Sequence, residues 1–94
     1  MKIANVRHKG LRQLLEDDDP KGLRPDLVPR IRRILTVLVS AQGMNEVKGP
    51  PGWRIHRLSG DRSETWSISV SGNWRITFRI EDDAIQDLDL EDYH

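Results

Sequence analysis

The spacing of apolar residues changes once along this chain of 94 residues, from a helical period to a period of two. That change fixes the fold class. Leu27, Ile31, Ile34, Leu35 and Leu38 recur every three or four positions, which lines one face of an α-helix and leaves Arg30, Arg32 and Arg33 on the others. Asp26 is placed to cap this helix, with Pro25 before it and Pro29 in its first turn, where a missing N–H costs little. A shorter helix is predicted over 8–16, with Leu11, Leu14 and Leu15 on one side, and the run Asp17-Asp18-Asp19-Pro20-Lys21-Gly22 ends it. Residues 2–6 are a candidate first strand. Gly49-Pro50-Pro51-Gly52 belongs to a connecting loop, because neither a helix nor a central strand tolerates it.

Beyond that loop the alternation is strict. Trp66, Ile68 and Val70 alternate with Ser67, Ser69 and Ser71; Trp74, Ile76, Phe78 and Ile80 alternate with Arg75, Thr77 and Arg79. Gly72-Asn73 and Glu81-Asp82-Asp83 supply the turns. A short strand over 53–58 precedes this unit, and a last strand over 84–90 follows it with Leu88 and Leu90 pointing one way. Helices first and an antiparallel meander afterwards describe an α+β domain, one domain over 1–94, with two N-terminal helices covering one face of a mostly antiparallel sheet. The Trp74, Ile76, Phe78, Ile80 row then faces the helices, and Arg75, Thr77 and Arg79 face away. Asp87 and Asp89 have the parity to sit beside those arginines as an exposed ion-pair ladder, each pair worth about 0.2–1 kcal/mol.

The formal net charge is zero, with 15 basic and 15 acidic residues, but the zero is a cancellation. Residues 1–62 carry thirteen basic and seven acidic side chains, whereas 63–94 carry two and eight. A basic first part is a surface that meets phosphate, and equally one that neutralises an acidic second part across a fold. The chain has no cysteine, which removes disulfides, a thiolate nucleophile and cysteine-ligated metals. No apolar run approaches the roughly 20 residues of a membrane helix, and the first ten residues lack the apolar centre of a secretory signal. A cytoplasmic protein without membrane contact is the expectation. Gly-rich phosphate loops, His-Glu-x-x-His helices and Gly-x-Ser-x-Gly elbows do not occur, and the histidines His8, His56 and His94 lack metal-ligand spacing, so no metal and no cofactor is expected.

Two histidines stand out. His56 lies on a short strand running into a glycine turn, flanked by Arg54, Arg57 and Arg62, as an imidazole suited to accept a proton. His94 follows Glu91, Asp92 and Tyr93 and is suited to donate one. Each has a plainer reading, as a half-buried strand residue and as a frayed end.

The chain resembles the HigB-type toxins of the RelE/ParE superfamily, the toxin half of bacterial type II toxin–antitoxin pairs. The resemblance rests on Arg7-His8-Lys9-Gly10-Leu11, His56-x-Leu58-x-Gly60-Asp61-Arg62, Trp66-Ser67-Ile68-Ser69-Val70, Gly72-Asn73-Trp74-Arg75-Ile76-Thr77-Phe78 and the ending Glu91-Asp92-Tyr93-His94. These blocks span nearly the whole length. The resemblance implies an α+β toxin fold and a ribosome-dependent endoribonuclease, free of metal, that cuts mRNA in the ribosomal A site by attack of a ribose 2′-OH on the adjacent phosphorus and so inhibits translation. It places the catalytic set on His56, Asp92, Tyr93 and His94, and RNA- or phosphate-binding cations on Arg75, Arg57 and Arg62. Arg30, Arg32, Arg33, Lys48 and Arg54 become candidates for ribosomal RNA. Ser59 stands where many relatives carry a lysine.

The partners implied are the ribosome, mRNA, a HigA-type helix-turn-helix antitoxin, and operator DNA through the antitoxin complex only. Two rival readings share the fold: a ParE-like toxin that inhibits gyrase by binding, and a degenerate binding domain. The histidines and the Asp92-Tyr93-His94 ending favour the ribonuclease.

Overall fold

The computed structural model describes residues 1–92. Helix α1 (Lys9–Asp17) starts where His8, in extended backbone, accepts a hydrogen bond on Nδ1 from the Leu11 N–H at 3.3 Å. It stops at Asp18, whose backbone turns left-handed (φ 53°) and whose N–H returns to the Leu14 carbonyl at 3.1 Å. Asp tolerates that conformation better than most residues.

Helix α2 (Val28–Ser40) buries Ile31, Ile34, Leu35 and Leu38, as its spacing predicts. Its start differs from the expectation. The capping position falls on Leu27, and Asp26 caps nothing; its carboxylate accepts two bonds from Arg24 at 3.2 and 2.9 Å. The chain is already wound before the helix begins, since Leu27 N–H reaches the Arg24 carbonyl and Val28 N–H the Pro25 carbonyl. Asp26 is therefore one residue too early. At the other end the Met1 α-ammonium donates to the carbonyls of Leu38 and Val39, both at 2.8 Å, setting a positive charge on the negative end of the helix dipole.

Among the described residues the strands are β1 (Lys2–Ile3), β2 (His56–Arg57), β3 (Trp66–Ser71), β4 (Trp74–Glu81) and β5 (Ala84–Asp92), in spatial order β1-β5-β4-β3-β2. β1 runs parallel to β5, and the other pairings are antiparallel. The fold is thus α+β with a mostly antiparallel sheet. The edge strands are shorter than expected. β1 gives way after two residues to a single bridge between Val6 and Leu88. Only His56 and Arg57 of the segment 53–58 pair with β3, because Pro51–Trp53 coils into a 3₁₀ turn and Arg54 is left-handed (φ 47°). β5 continues two residues past the predicted end.

Both hairpin turns use the residues picked out by sequence. Gly72 is left-handed (φ 56°) between β3 and β4, and Asp82 and Asp83 are both left-handed (φ 54° and 60°) between β4 and β5. Paired positive φ values suit the right-handed twist of the flanking strands. β5 also bulges: Thr77 pairs with Asp89, but Arg79 pairs with Gln86, leaving an extra residue on β5. Asp87 there takes φ 54°. The bulge lets Ile85 and Leu88, three apart, both turn inward and become fully buried. They join Leu11, the α2 face, Ile68, Val70, Ile76 and Phe78 in one core on the helical side of the sheet. Trp74 and Ile80, at the ends of their row, are half-buried.

Helix α1 and the loop after it meet backbone to backbone. A Cβ on Gly10 stands 2.4 Å from the Gly22 carbonyl oxygen, closer than atoms approach. Gly10→Ala is therefore expected to destabilise the fold by about 1–3 kcal/mol, read as a lower midpoint in urea with unchanged slope. An unchanged midpoint contradicts this contact.

Candidate functional site

The face of the sheet away from the helices is organised by strand register. His56 on β2 is opposite Ser67 on β3, Ser67 is opposite Thr77 on β4, and Thr77 is opposite Asp89 on β5. One step along lies the row Ser69, Arg75, Glu91. Side chains in one row of an untwisted register share a face, so His56, Thr77, Arg75 and Glu91 project to the same side. This side is not uniformly exposed, for Ser67 and Thr77 are fully buried under the longer side chains around them.

Glu91 is the centre of the arrangement. Arg62, from the 3₁₀ turn Gly60–Arg62 in the β2–β3 connection, donates to both carboxylate oxygens at 2.9 and 2.6 Å. Arg75 donates from below at 3.4 Å, and the Thr77 hydroxyl donates to the second oxygen. The exposures differ in a useful way: the side chain of Arg62 is 46% exposed, that of Glu91 23% and that of Arg75 13%. Arg75 is the fixed inner cation and Arg62 the outer one. The Arg62 hydrogen bonds hold the Glu91 carboxyl down at about 2, against the opposing push of burial, and Thr77 adds to them. The same pairing raises Arg62.

A second cluster lies at the bulge. Asp87 accepts from Arg79 Nε and Asn5 Nδ2, both at 3.0 Å, with Arg7 Nε at 3.4 Å. Its own N–H donates to Asn5 Oδ1 at 2.9 Å. The Asn5 bond first, then Arg79, lowers its carboxyl below the usual range. Between the two clusters is a cleft of about 180 Å³ bordered by Arg7, Arg62 and Arg79, by the carboxylates of Asp87, Asp89 and Glu91, and by Thr65, Thr77 and Phe78.

The residues singled out by sequence fall in different places. Arg62 and Arg75 converge on Glu91. His56 shares their face, exposed on the edge strand, with Nδ1 donating to the Arg54 carbonyl; that bond leaves Nε2 as the acceptor of the neutral ring. Arg57 is on the opposite side of β2, 5.1 Å above the Trp66 ring, in a cation–π contact. Asp92 pairs in register with Trp74 and lies beside Arg24, Asp26 and Asn73, on the helical parity of β5. Tyr93 and His94 lie outside the described residues. Arg30 donates to the Val70 carbonyl at 2.7 Å, and Arg32 pairs with Asp18. Arg79 meets Asp87 as the ladder predicts, but Arg75 meets Glu91. Glu91 and Thr77 lie outside the catalytic and binding set expected from sequence, although Thr77 shares the parity of Arg75 on β4 and Glu91 that of Asp89 on β5. Among the described residues, no group of three or more His, Asp or Glu is arranged to hold a metal ion, and no helix is long and apolar enough to cross a membrane.

Comparison with known proteins gives three matches. Residues 4–94 fit the family described as RelE-like toxin of type II toxin-antitoxin system HigB. The chain is similar to the endoribonuclease HigB of Proteus vulgaris, 37% identical over 92 residues, which is 98% of this chain and 99% of the relative. It is also similar to toxin HigB-1 of Vibrio cholerae serotype O1, 32% identical over 77 residues, which is 81% of each chain.

The Glu91 cluster carries a pH signature. A carboxyl lowered in the fold from its ordinary 4.5 to about 2 adds stability above pH 4.5 that disappears as the pH falls toward 2. Glu91→Gln is expected to cost about 1–2 kcal/mol at pH 6, discounted for the exposure of Arg62. The gap to the unsubstituted protein should narrow steadily between pH 4.5 and 2 in urea unfolding. A gap independent of pH rules out the ion pair as its cause.

Proposed function

Because the chain belongs to the HigB-like family of RelE-like toxins, the toxin half of type II toxin–antitoxin systems, we propose that it is a ribosome-dependent endoribonuclease that cuts mRNA in the A site. The observation that carries this reading is the open face of the sheet. An inner arginine (Arg75) and an outer one (Arg62) meet there at one carboxylate, on the same face as the imidazole of His56. Two cations, one on a rigid strand and one on a tight turn, and an imidazole on the same face of the sheet are the groups that cleavage of a ribose–phosphate linkage requires.

In the proposed reaction the ribose 2′-oxygen bonds to the adjacent phosphorus as one imidazole takes its proton. The bond from phosphorus to the 5′ oxygen breaks, and the second imidazole gives that oxygen a proton. A 2′,3′-cyclic phosphate and a 5′-OH result, so neither water nor metal is consumed. His56 and His94 share the two proton transfers. Asp92, which the register sets on the face of β5 opposite to His56, is assigned to the imidazole of His94 and not to that of His56, and Tyr93 stacks on a base or donates to a phosphate. Arg75 and Arg62 meet the charge that grows on the phosphorane, and Arg57 contributes positive charge at the edge of the sheet. Arg62 and Arg75, which meet at Glu91, supply the positive charge that Ser59 does not.

The protein has a cognate antitoxin as its partner, and we read this as a HigA-type helix-turn-helix protein that carries the pair to operator DNA. Ribosome and mRNA are the other partners, which puts the activity in the cytoplasm. The basic side chains outside the cleft, Arg33, Lys48 and Arg54 among them, position the protein on ribosomal RNA through contacts that weaken with salt. The face has no row of base-stacking aromatics, so the ribosome supplies most of the substrate geometry.

The test is in vitro translation with mapping of mRNA ends. His56→Ala and His94→Gln are each expected to lower the cutting of translated mRNA by about 10²-fold or more, with naked RNA cut poorly by every form. Unchanged cutting by both variants, or equal cutting of naked and translated RNA, overturns the reading.

A further inference from the structure

We propose that Glu91 is a built-in competitor for phosphate, so that RNA binds in the cleft only when Arg62 exchanges the Glu91 carboxylate for a phosphodiester. This rests on the reading of the open face as an RNA site. The two-pronged bond that Arg62 makes to Glu91 is the one a guanidinium makes to a phosphate. Arg62 reaches Glu91 across 29 residues from an exposed turn, and it is the most exposed member of the cluster. When Arg62 swings out, Glu91 keeps two partners, the Arg75 guanidinium and the Thr77 hydroxyl. The exchange therefore leaves no half-buried charge unmatched. Arg79 at the other end of the cleft differs. Its carboxylate, Asp87, also anchors the bulge through Asn5, and Arg79 has a second acceptor in Glu81. Of the two arginines at the ends of the cleft, Arg62 is the one that exchanges and Arg79 the one that stays with its carboxylates.

The consequence is selectivity. An arginine already satisfied within the protein gains little from a passing phosphate. It gains more when a strand is held at the cleft at high local concentration.

The test measures binding and not cutting. A short 2′-O-methyl oligoribonucleotide, which cannot be cleaved, is titrated by fluorescence anisotropy between about 50 and 200 mM salt. Glu91→Gln is expected to tighten binding by about five- to tenfold and to steepen the salt dependence, whereas Asp83→Asn, the same change of charge on the distant β4–β5 turn, shifts it less than about twofold. In an Arg62→Ala background the gain from Glu91→Gln should vanish. A gain that persists without Arg62, a gain no larger than that of Asp83→Asn, or no binding by either protein overturns the proposal. Should Glu91→Gln not fold, the unsubstituted protein decides: in ¹⁵N spectra the Arg62 Nε–H signal moves on saturation with the oligonucleotide while that of Arg79 stays, and a stationary Arg62 signal overturns it. These readouts are independent of mRNA cutting, so loss of the nuclease reading and loss of this one are told apart.

Discussion

The extra residue in β5 is the constraint on which both sides of the sheet depend. Ile85 and Leu88 are three apart, so a regular strand cannot bury both. The left-handed Asp87 resets the alternation between them. Past the bulge, Leu88 and Leu90 face the helices and Asp89 and Glu91 face outward. Without it the parity inverts, and Glu91 points into the core away from Arg62 and Arg75. Left-handed backbone costs an ordinary L-residue roughly 1–2 kcal/mol, less for Asp. Here the cost is offset by the Asn5 side chain, which both donates to the Asp87 carboxylate and accepts its N–H, and by Arg79. The segment after β1 thus holds the strand that carries the site.

The charge split along the chain is resolved in the fold by contact. Arg7 and Arg62 come from the basic first part, and they meet Asp87 and Glu91 from the acidic second part. Pairs this exposed contribute little individually. The exception is the Glu91 cluster, where Arg75 is nearly covered and Thr77 buried, so that the carboxylate is held by hydrogen bonds more than by distant charge. Of the two expectations for the arginines, neutralisation is what the fold shows, since Arg7, Arg62, Arg75 and Arg79 all meet carboxylates; a face open to phosphate belongs to the proposed complex alone.

Periodicity made α2, β3, β4 and both hairpin turns legible, because in each the apolar spacing and the turn residues agree. Where local signals disagreed with tertiary demand, the reading fell short. Asp26 is a good cap by residue type, yet Pro25 starts the turn too soon for it to serve. The segment 53–58 alternates like a strand, yet Pro51 and the left-handed Arg54 leave only two residues straight enough to pair. Charge and resemblance pointed to Arg62 and Arg75, which the fold brings together. Glu91 follows Asp89 to the arginine side by plain alternation from Leu88 and Leu90; what alternation hides is the bulge before Leu88, which only the mismatch between Ile85 and Leu88 betrays. The same arithmetic sets Asp92 on the parity of Trp74.

A protein with no net charge that acts on a polyanion faces a particular problem. Affinity for RNA grows with each phosphate neutralised, and so does affinity for every irrelevant RNA in the cell. Pairing the cleft arginines internally lowers both. On the proposed reading the loss is recovered where the ribosome presents the strand, since local concentration replaces intrinsic affinity and favours no free RNA. The fixed cation, Arg75, then retains the role of stabilising charge in the transition state, because it sits on a central strand with little freedom to leave. The movable cation, Arg62, sets admission. Separating the two functions between a strand residue and a turn residue follows from their mobility: preorganised stabilisation demands a side chain that does not move, and exchange demands one that does.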